Sequence, residues 1–94
     1  MIKHIVMWKF REGEEAKAEE FYAGLAALQG VIPELISSKV TKSIGGDYDA
    51  VLEAVVEDMD ALDRYKNDPR HVKVSALCKS IRIARASVDY EFEG

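Results

Sequence analysis

The sequence predicts an α+β fold in which a four-stranded antiparallel sheet carries its helices on one face. Three observations support this prediction. Segments with a period of two residues occur at both ends of the chain, and two more meet at a glycine turn over residues 45–47. Segments with a helical period separate the first strand from the second and the third from the fourth. With 94 residues, the chain has the length of one small domain, which we place at residues 1–94.

The first strand is predicted over residues 2–10, where alternate side chains share a face. One face carries His4 together with four apolar residues, Ile2, Val6, Trp8 and Phe10. The other face carries Ile5 and Met7 at its centre. Both faces of this strand are therefore expected to be at least partly buried.

The middle of the chain predicts a helix followed by a hairpin of strands. The helix covers residues 14–29 and is expected to end at Gly30 and Pro33. Its apolar stripe consists of Ala18, Phe21, Leu25, Leu28 and Ile32. A weaker second strand is predicted over residues 35–44, with one side formed by Ile36, Val40 and Ile44. The third strand, over residues 48–57, has an apolar face formed by Tyr48, Ala50, Leu52, Ala54 and Val56.

The last third of the chain predicts two short helices and a final strand. Asp58 is expected to cap the first helix, and Asp68 the second, in which Pro69 takes the first helical position. The second helix is predicted to end near residue 79, with one side formed by Val72, Ala76, Leu77 and Ser80. The final strand alternates around Val88, Tyr90 and Phe92. A bulge or the start of the strand is expected near Arg85, because Ile81 and Ile83 have the opposite parity.

The resulting order, β-α-β-β-α-β with the second helix divided, is the ferredoxin-like arrangement. Its helices cover one face of the sheet only. The uncovered face would carry four apolar residues, Ile5, Met7, Val51 and Val55. Since such a face is too apolar to remain in water, we expect a homodimer with the two sheets packed face to face, that is, a dimeric α+β barrel.

Composition excludes several classes of protein and partner. Hydrophobic residues make up 48% and charged residues 32%, so neither disorder nor a membrane span is expected. The net charge of −4 and the lack of a basic tract argue against nucleic acid as a partner. Lys3 and Lys9 interrupt the apolar start, which is not typical of a signal peptide. A single cysteine, Cys78, fits a reducing compartment, so a cytoplasmic location is expected.

Two histidines are candidates for chemistry. His4 is expected beneath the helices, where its ring either satisfies a structural hydrogen bond or lines a polar pocket. His71 lies in the first turn opened by Asp68 and Pro69. There the positive end of the helix dipole favours a neutral imidazole, which can act as a general base. The alternative for His71 is an exposed histidine near a helix cap.

Other polar or reactive side chains have both a functional and a structural interpretation. The Tyr65 phenol could fold back towards His71 and polarise a substrate carbonyl, or it could be a packing residue. Cys78 is interpreted as a reduced packing thiol rather than a nucleophile. Lys79, Arg82 and Arg85 could bind an acidic ligand or form intersubunit ion pairs, and a solvated surface is the favoured interpretation.

Three segments carry a family resemblance: "IKHIVMWKF", "GGDYDAVLEAVVED" and "ALDRYKNDPRHVKV". Together they resemble the stress-responsive A/B barrel (Dabb) family of the dimeric α+β barrel superfamily. The specific part is the strand histidine His4 combined with Tyr65, Pro69 and His71. The resemblance implies a homodimer with a small-ligand pocket between sheet and helices, and a physiological role that is not established for most members.

One plant member of that family is a polyketide cyclase that performs an aldol condensation without a cofactor. By this resemblance, His71 would be the base, Tyr65 would orient it or hold the substrate carbonyl, and His4 would assist binding. The ligand-binding candidates are Trp8, Leu25 and Tyr22. Leu25 stands where the cyclase has a tyrosine, and Asp68 where it has a histidine.

Three functions therefore remain open at this point. The first is a homodimer that binds a small carbonyl or aromatic molecule without catalysis. The second is a cofactor-free acid–base enzyme, of the cyclase or aldol-type lyase class, that uses a His/Tyr pair. The third is a metal- or haem-binding barrel, as in related haem-degrading enzymes, although no close His/Cys spacing supports zinc. We therefore expect no cofactor and assign no metal ligands.

Overall fold

The order of elements is the predicted one, with the second helix divided at Asp68. The computed structural model describes residues 1–94. Its elements are β1 (Ile2–Phe10), α1 (Glu15–Ala26), β2 (Ser37–Lys42), β3 (Ala50–Val56), α2 (Met59–Asn67), α3 (Pro69–Ile81) and β4 (Arg82–Glu91). The predicted β-α-β-β-α-β arrangement is therefore confirmed.

The four strands form one antiparallel sheet in the order β2-β3-β1-β4. Directly opposed residues of antiparallel strands share a face, so the register assigns each side chain to one side of the sheet. His4 is opposite Ala54 on β3 and Asp89 on β4, and Trp8 is opposite Ala50 and Arg85. These residues share the face that also carries the buried residues Val6 and Leu52, beneath the helices.

The core lies between this face and the helices. It is one cluster of 19 buried hydrophobic residues. Phe21 of α1 meets the edge of Trp8 at a centroid distance of 5.0 Å, and Phe10 at 5.9 Å. The helices α1 and α3 approach closely at Gly24, where an added Cβ would lie 3.2 Å from Cγ1 of Val74. The absence of a side chain at Gly24 thus sets the distance between the two helices.

Both predicted helix caps of the second half are present. An Asp58 carboxylate oxygen accepts a hydrogen bond from the Ala61 amide at 2.8 Å. Asp68 accepts one from the Arg70 amide at 2.9 Å, and Pro69 occupies the first turn of α3. Each cap satisfies an amide that the helix itself leaves without a partner. The Asp68 cap also fixes the position of His71 in the first turn of α3.

Two predicted elements are shorter than expected. The helix α1 ends at Ala26 rather than near residue 29, because the Leu28 amide donates to Leu25 and the chain turns there. Ile32 is nevertheless buried, in the turns after the helix. The strand β2 ends at Lys42, so Ile44 does not share a buried side with Val40 and is fully exposed.

Two predictions in the last third of the chain are wrong in detail. The buried side of α3 is formed by Cys78 and Ile81, with Val74 and Leu77 partly buried, while Val72 is exposed. The bulge lies at Ile83 rather than near Arg85. Lys9 is opposite Ala84 and Phe10 is opposite Arg82, so Ile83 is the extra residue. Ile81 belongs to α3 and not to the strand.

The face of the sheet away from the helices is apolar along its centre. Ile5 and Met7 of β1 are opposite Val88 and Ala86 of β4, and Met7 is also opposite Val51 of β3. Val88 and Tyr90 are exposed large hydrophobic residues. The apolar side of β4 therefore extends this open face and does not contribute to the core.

Candidate functional site

A cavity of about 370 Å³ opens between the helix-side face of the sheet and α3. Its apolar lining comes mainly from β1, α1 and β3, and includes Val6, Trp8, Phe21, Leu25 and Leu52. Its polar lining consists of His4 of β1 and of residues from the end of α2, from α3 and from the start of β4, namely Lys66, Asn67, His71, Ser75, Lys79, Arg82 and Arg85. Both histidines of the chain therefore face one cavity.

His4 is fixed by a carboxylate that pairs with it across the sheet. The residue is 3% exposed, and its Nδ1 lies 2.5 Å from an Asp89 carboxylate oxygen. Since a carboxylate accepts and does not donate, Nδ1 carries the hydrogen and Nε2 is left with a free lone pair. The register that makes His4 and Asp89 direct neighbours produces this contact.

His71 is fixed in the same tautomer by the main chain. Its Nδ1 lies 3.0 Å from the Lys66 carbonyl oxygen, which can only accept. The Nε2 of His71 is therefore the available proton acceptor. The Tyr65 ring packs against the imidazole with a centroid distance of 4.6 Å and an interplanar angle of 53°. This packing restricts the rotation of the His71 ring.

Burial keeps both imidazoles neutral. Desolvation lowers the pKa of His4, and its contact with Asp89 offsets only part of that effect. Desolvation also lowers the pKa of His71, and the positive charge of Arg85 adds to the lowering for both rings. Burial raises the pKa of the Tyr65 phenol to about 12, so this group remains a hydrogen-bond donor at neutral pH. The cavity thus presents two neutral bases, and the Tyr65 ring packs against one of them from within the core.

The lowered pKa values predict that the protein loses stability below neutral pH. The unfolded chain binds more protons than the folded chain between the folded pKa values and 6.5. The free energy of unfolding should therefore fall as the pH is lowered from 7.5 to 5.5, by at most about 1.4 kcal/mol per pH unit for each histidine. Urea denaturation at several pH values measures this slope.

A variant with His71→Gln separates the two histidines in that measurement. It should retain only the part of the slope that belongs to His4. Asp68 does not contribute in this range, because its pKa of about 2 in the folded protein and its ordinary value of 3.8 both lie well below pH 5.5. Equal stability of the parent at pH 7.5 and pH 5.5 would contradict the assignment of neutral, buried imidazoles.

The predicted site residues fall into three groups. His4, His71, Trp8 and Leu25 line the cavity. Tyr65 contacts the His71 ring from within the core but is not part of the cavity wall. Tyr22 lies elsewhere, in a second cavity of about 540 Å³ that Asp49 and Lys42 also line. The structure therefore brings together four of the six candidates directly and a fifth by packing.

The contact between His4 and Asp89 was not predicted, and Arg82 and Arg85, for which a solvated surface was the favoured interpretation, line the cavity. Asp89 was part of an apparently ordinary alternation in β4, and its contact with His4 depends on the strand register. Arg82 and Arg85 are three positions apart, which in a regular strand would place them on opposite faces. The bulge at Ile83 restores them to the same face, and both line the cavity.

Metal ligands and a reactive thiol receive no support from the side chains. No group of three or more His, Cys, Asp or Glu residues is arranged to hold a metal ion. Burial raises the pKa of the Cys78 thiol, which makes it a poor nucleophile at neutral pH. The interpretation of Cys78 as a packing residue agrees with its position in the core. No helix has the length and apolar character needed to cross a lipid bilayer.

Comparison with solved structures first defines the class of protein. A dimeric ferredoxin-like protein of unknown function from Bacteroides fragilis is similar over 97% of this chain and 95% of its own, with 26% identity and a TM-score of 0.89. A dimeric ferredoxin-like protein of unknown function from Thermobifida fusca is similar over 97% of this chain and 90% of its own, with 23% identity and a TM-score of 0.87. The fold is therefore ferredoxin-like.

Comparison with protein families then identifies the chain more narrowly. The profile of the stress responsive A/B barrel domain, Dabb, matches residues 2–92. An uncharacterised protein of Streptomyces coelicolor is 32% identical over 98% of this chain and 100% of its own length. The chain belongs to the Dabb family.

Proposed function

We propose that this protein is a homodimer that binds a small carbonyl or aromatic molecule in the cavity between its sheet and helices. The observation that carries the proposal is the presence of both histidines in one cavity with an apolar floor. A volume of about 370 Å³ suits a ligand of one ring or a short chain. Trp8 and Phe21 offer aromatic surfaces to such a ligand, and each Nε2 can accept a hydrogen bond from it.

The open face of the sheet supports the homodimer in this proposal. It carries apolar residues on three neighbouring strands beside the exposed Glu53, which is opposite Ile5, and Val88 is 56% exposed. A second copy of the same face is complementary to it by symmetry. The related structures from Bacteroides fragilis and Thermobifida fusca are described as dimeric.

A second candidate function is acid–base chemistry on the bound carbonyl compound. The specific observation that favours it is the tautomer of His71, whose Nδ1 is held by the Lys66 carbonyl while Nε2 is free. In this mechanism, Nε2 removes a proton from the carbon next to a carbonyl group, and the electrons of that C–H bond pass to the carbonyl oxygen. The enolate carbon then attacks a second carbonyl to form a C–C bond, and the proton returns from His71 to the new alkoxide.

Tyr65 and the His4–Asp89 pair have secondary roles in this mechanism. The Tyr65 phenol supports the ring orientation of His71 through their packing. Asp89 holds His4 in one tautomer, so that His4 presents Nε2 to the ligand. Asp89 is thus a positioning residue, which acts on the ligand only through His4.

Ligand titration monitored by two-dimensional NMR tests the proposal. The panel consists of neutral carbonyl compounds that also carry a hydroxyl donor for the free Nε2 atoms, 4-hydroxyacetophenone and hydroxyacetone among them, added to uniformly labelled protein. Binding should shift the Trp8 indole resonance and the amide resonances of α3, because Trp8 is buried and lines the cavity. The replacement His71→Ala should weaken binding about tenfold through the loss of a buried hydrogen bond.

The control is Lys73→Ala, a replacement of an exposed residue on the same helix outside the cavity. This variant should bind with the affinity of the parent. The proposal is wrong if no compound of the panel shifts the Trp8 resonance. It is also wrong if His71→Ala and Lys73→Ala bind equally to the parent.

A further inference from the structure

The geometry points to a ligand that carries a carboxylate group at the cationic side of the cavity and an apolar body on its floor. This inference rests on the proposed small-molecule cavity and specifies its ligand class. Four cations line the cavity: Lys66, Lys79, Arg82 and Arg85. They come from the end of α2, the last turn of α3 and the start of β4. Three separate elements thus direct positive charge to one opening.

None of these four cations takes part in an ion pair. Of the nine other cations of the chain, five are paired with carboxylates, as in Arg64–Glu34, Arg70–Asp68 and Lys42–Glu19. The contrast is local, because the chain as a whole has 17 acidic and 13 basic residues. Like charges brought together without counter-ions repel each other, and a bound anion would relieve that repulsion.

The Asp89 carboxylate, which contacts His4, does not neutralise the cluster. Asp89 is engaged by His4, and no acidic residue is part of the cavity wall. The only side-chain hydrogen bond made by Arg85 is to the Ser87 hydroxyl, at 3.3 Å, which leaves most of its donors free. Four positive charges against one negative charge leave an excess of positive charge where a ligand would enter.

The position of the two arginines depends on the bulge at Ile83. The extra residue places Arg82 and Arg85 on the helix-side face together, opposite Phe10 and Trp8 respectively. Two guanidinium groups on one face of a strand can each donate paired N–H groups, the arrangement that recognises a planar carboxylate. A regular strand would have directed one of these arginines to the opposite face.

The apolar floor limits which anions fit. Trp8, Phe21, Leu25 and Leu52 form a surface that inorganic ions cannot use. A monocarboxylate with a ring or a short alkyl chain would satisfy both surfaces, with its body on the floor and its charge near Arg82 and Arg85. This ligand would also place its carbon skeleton beside the two histidines, which line the same cavity.

Matched pairs of acids and amides test the inference by isothermal titration calorimetry. The pairs are benzoate with benzamide, 4-butylbenzoate with 4-butylbenzamide, and hexanoate with hexanamide. Members of a pair have nearly the same shape and differ in charge, so the ratio of their affinities isolates the contribution of the cations. The acid of at least one pair should bind about tenfold or more tightly than its amide, and added salt should reduce this ratio.

Charge-removal variants locate the effect within the molecule. Arg82→Gln and Arg85→Gln should each weaken acid binding about tenfold and leave amide binding unchanged. The control is Arg64→Gln, which changes the net charge equally but lies outside the cavity, and it should leave both affinities unchanged. Circular dichroism verifies that each variant is folded.

The outcomes distinguish this inference from the proposed cavity itself. Equal affinities of acids and amides would overturn the inference and leave the cavity intact. An acid preference that Arg64→Gln reduces as much as Arg82→Gln would also overturn it, because the effect would then come from the charge of the whole chain. No binding of any acid or amide, together with no shift by the neutral carbonyl compounds, would overturn the proposed cavity as well.

Discussion

Lysine in place of Val88 is expected to convert the proposed dimer into a monomer. Val88 lies on the open face of the sheet opposite Ile5 and is 56% exposed in the single chain. The monomer can therefore accept the larger charged side chain without disturbing the core. The single interface of a symmetric dimer would have to bury two unpaired ammonium groups, one from each subunit, which costs several kcal/mol. The dissociation constant of the dimer should rise about a hundredfold or more, as measured by sedimentation velocity over a range of concentrations.

The matched control for this experiment is Val31→Lys. Val31 is 50% exposed in the turns after α1, away from the sheet face, and has nearly the same accessibility as Val88. This variant should sediment as the parent does. A parent protein that is monomeric at micromolar concentration, or a Val88→Lys variant that remains as dimeric as Val31→Lys, would contradict the face-to-face assembly.

Truncation of Phe21 is expected to cause a large loss of stability. Phe21 is 2% exposed, contacts the edges of Trp8 and Phe10, and also lines the cavity. The replacement Phe21→Ala removes these contacts and leaves a void that rigid neighbours can fill only in part. The free energy of unfolding should fall by about 3–5 kcal/mol, measured by urea denaturation.

A second phenylalanine provides the comparison. Phe92 follows β4 near the end of the chain and is only partly buried, with the Lys3 ammonium 4.9 Å from its ring centre. The replacement Phe92→Ala should cost about 1 kcal/mol or less, because little apolar surface is lost there and a cation–π contact between partly buried residues is weak. If the two replacements destabilise the protein equally, Phe21 does not have the central position that the structure assigns to it.

The periodic parts of the chain were predictable because one side of each packs into the core. The alternation around Val6 in β1 and Leu52 in β3 matches the observed burial of every second residue. The caps Asp58 and Asp68 were equally predictable, since they act on amides only two or three residues away. Such local signals decide element type and order, and they placed His4 beneath the helices.

Predictions failed where the decision depended on distant residues. Val72 belonged to a plausible stripe on α3, but Val74 faces α1 at the close approach created by Gly24. Helix α1 ended early because the turn after Leu25 carries Ile32 into the core. Tyr22 follows Phe21 directly, yet the rotation of one helical position directs it to a different cavity.

The candidate site also has a part that local sequence predicts and a part that depends on distant residues. The sequence alone determined that a Dabb-like sheet would hold His4 and that a capped helix would present His71, because both depend on short-range periodicity and capping. Tertiary structure alone decided that Asp89 meets His4 and that Arg82 and Arg85 share a face. Register and bulge position are properties of paired strands, and the pairing energy that selects them comes from contacts between residues far apart in the chain.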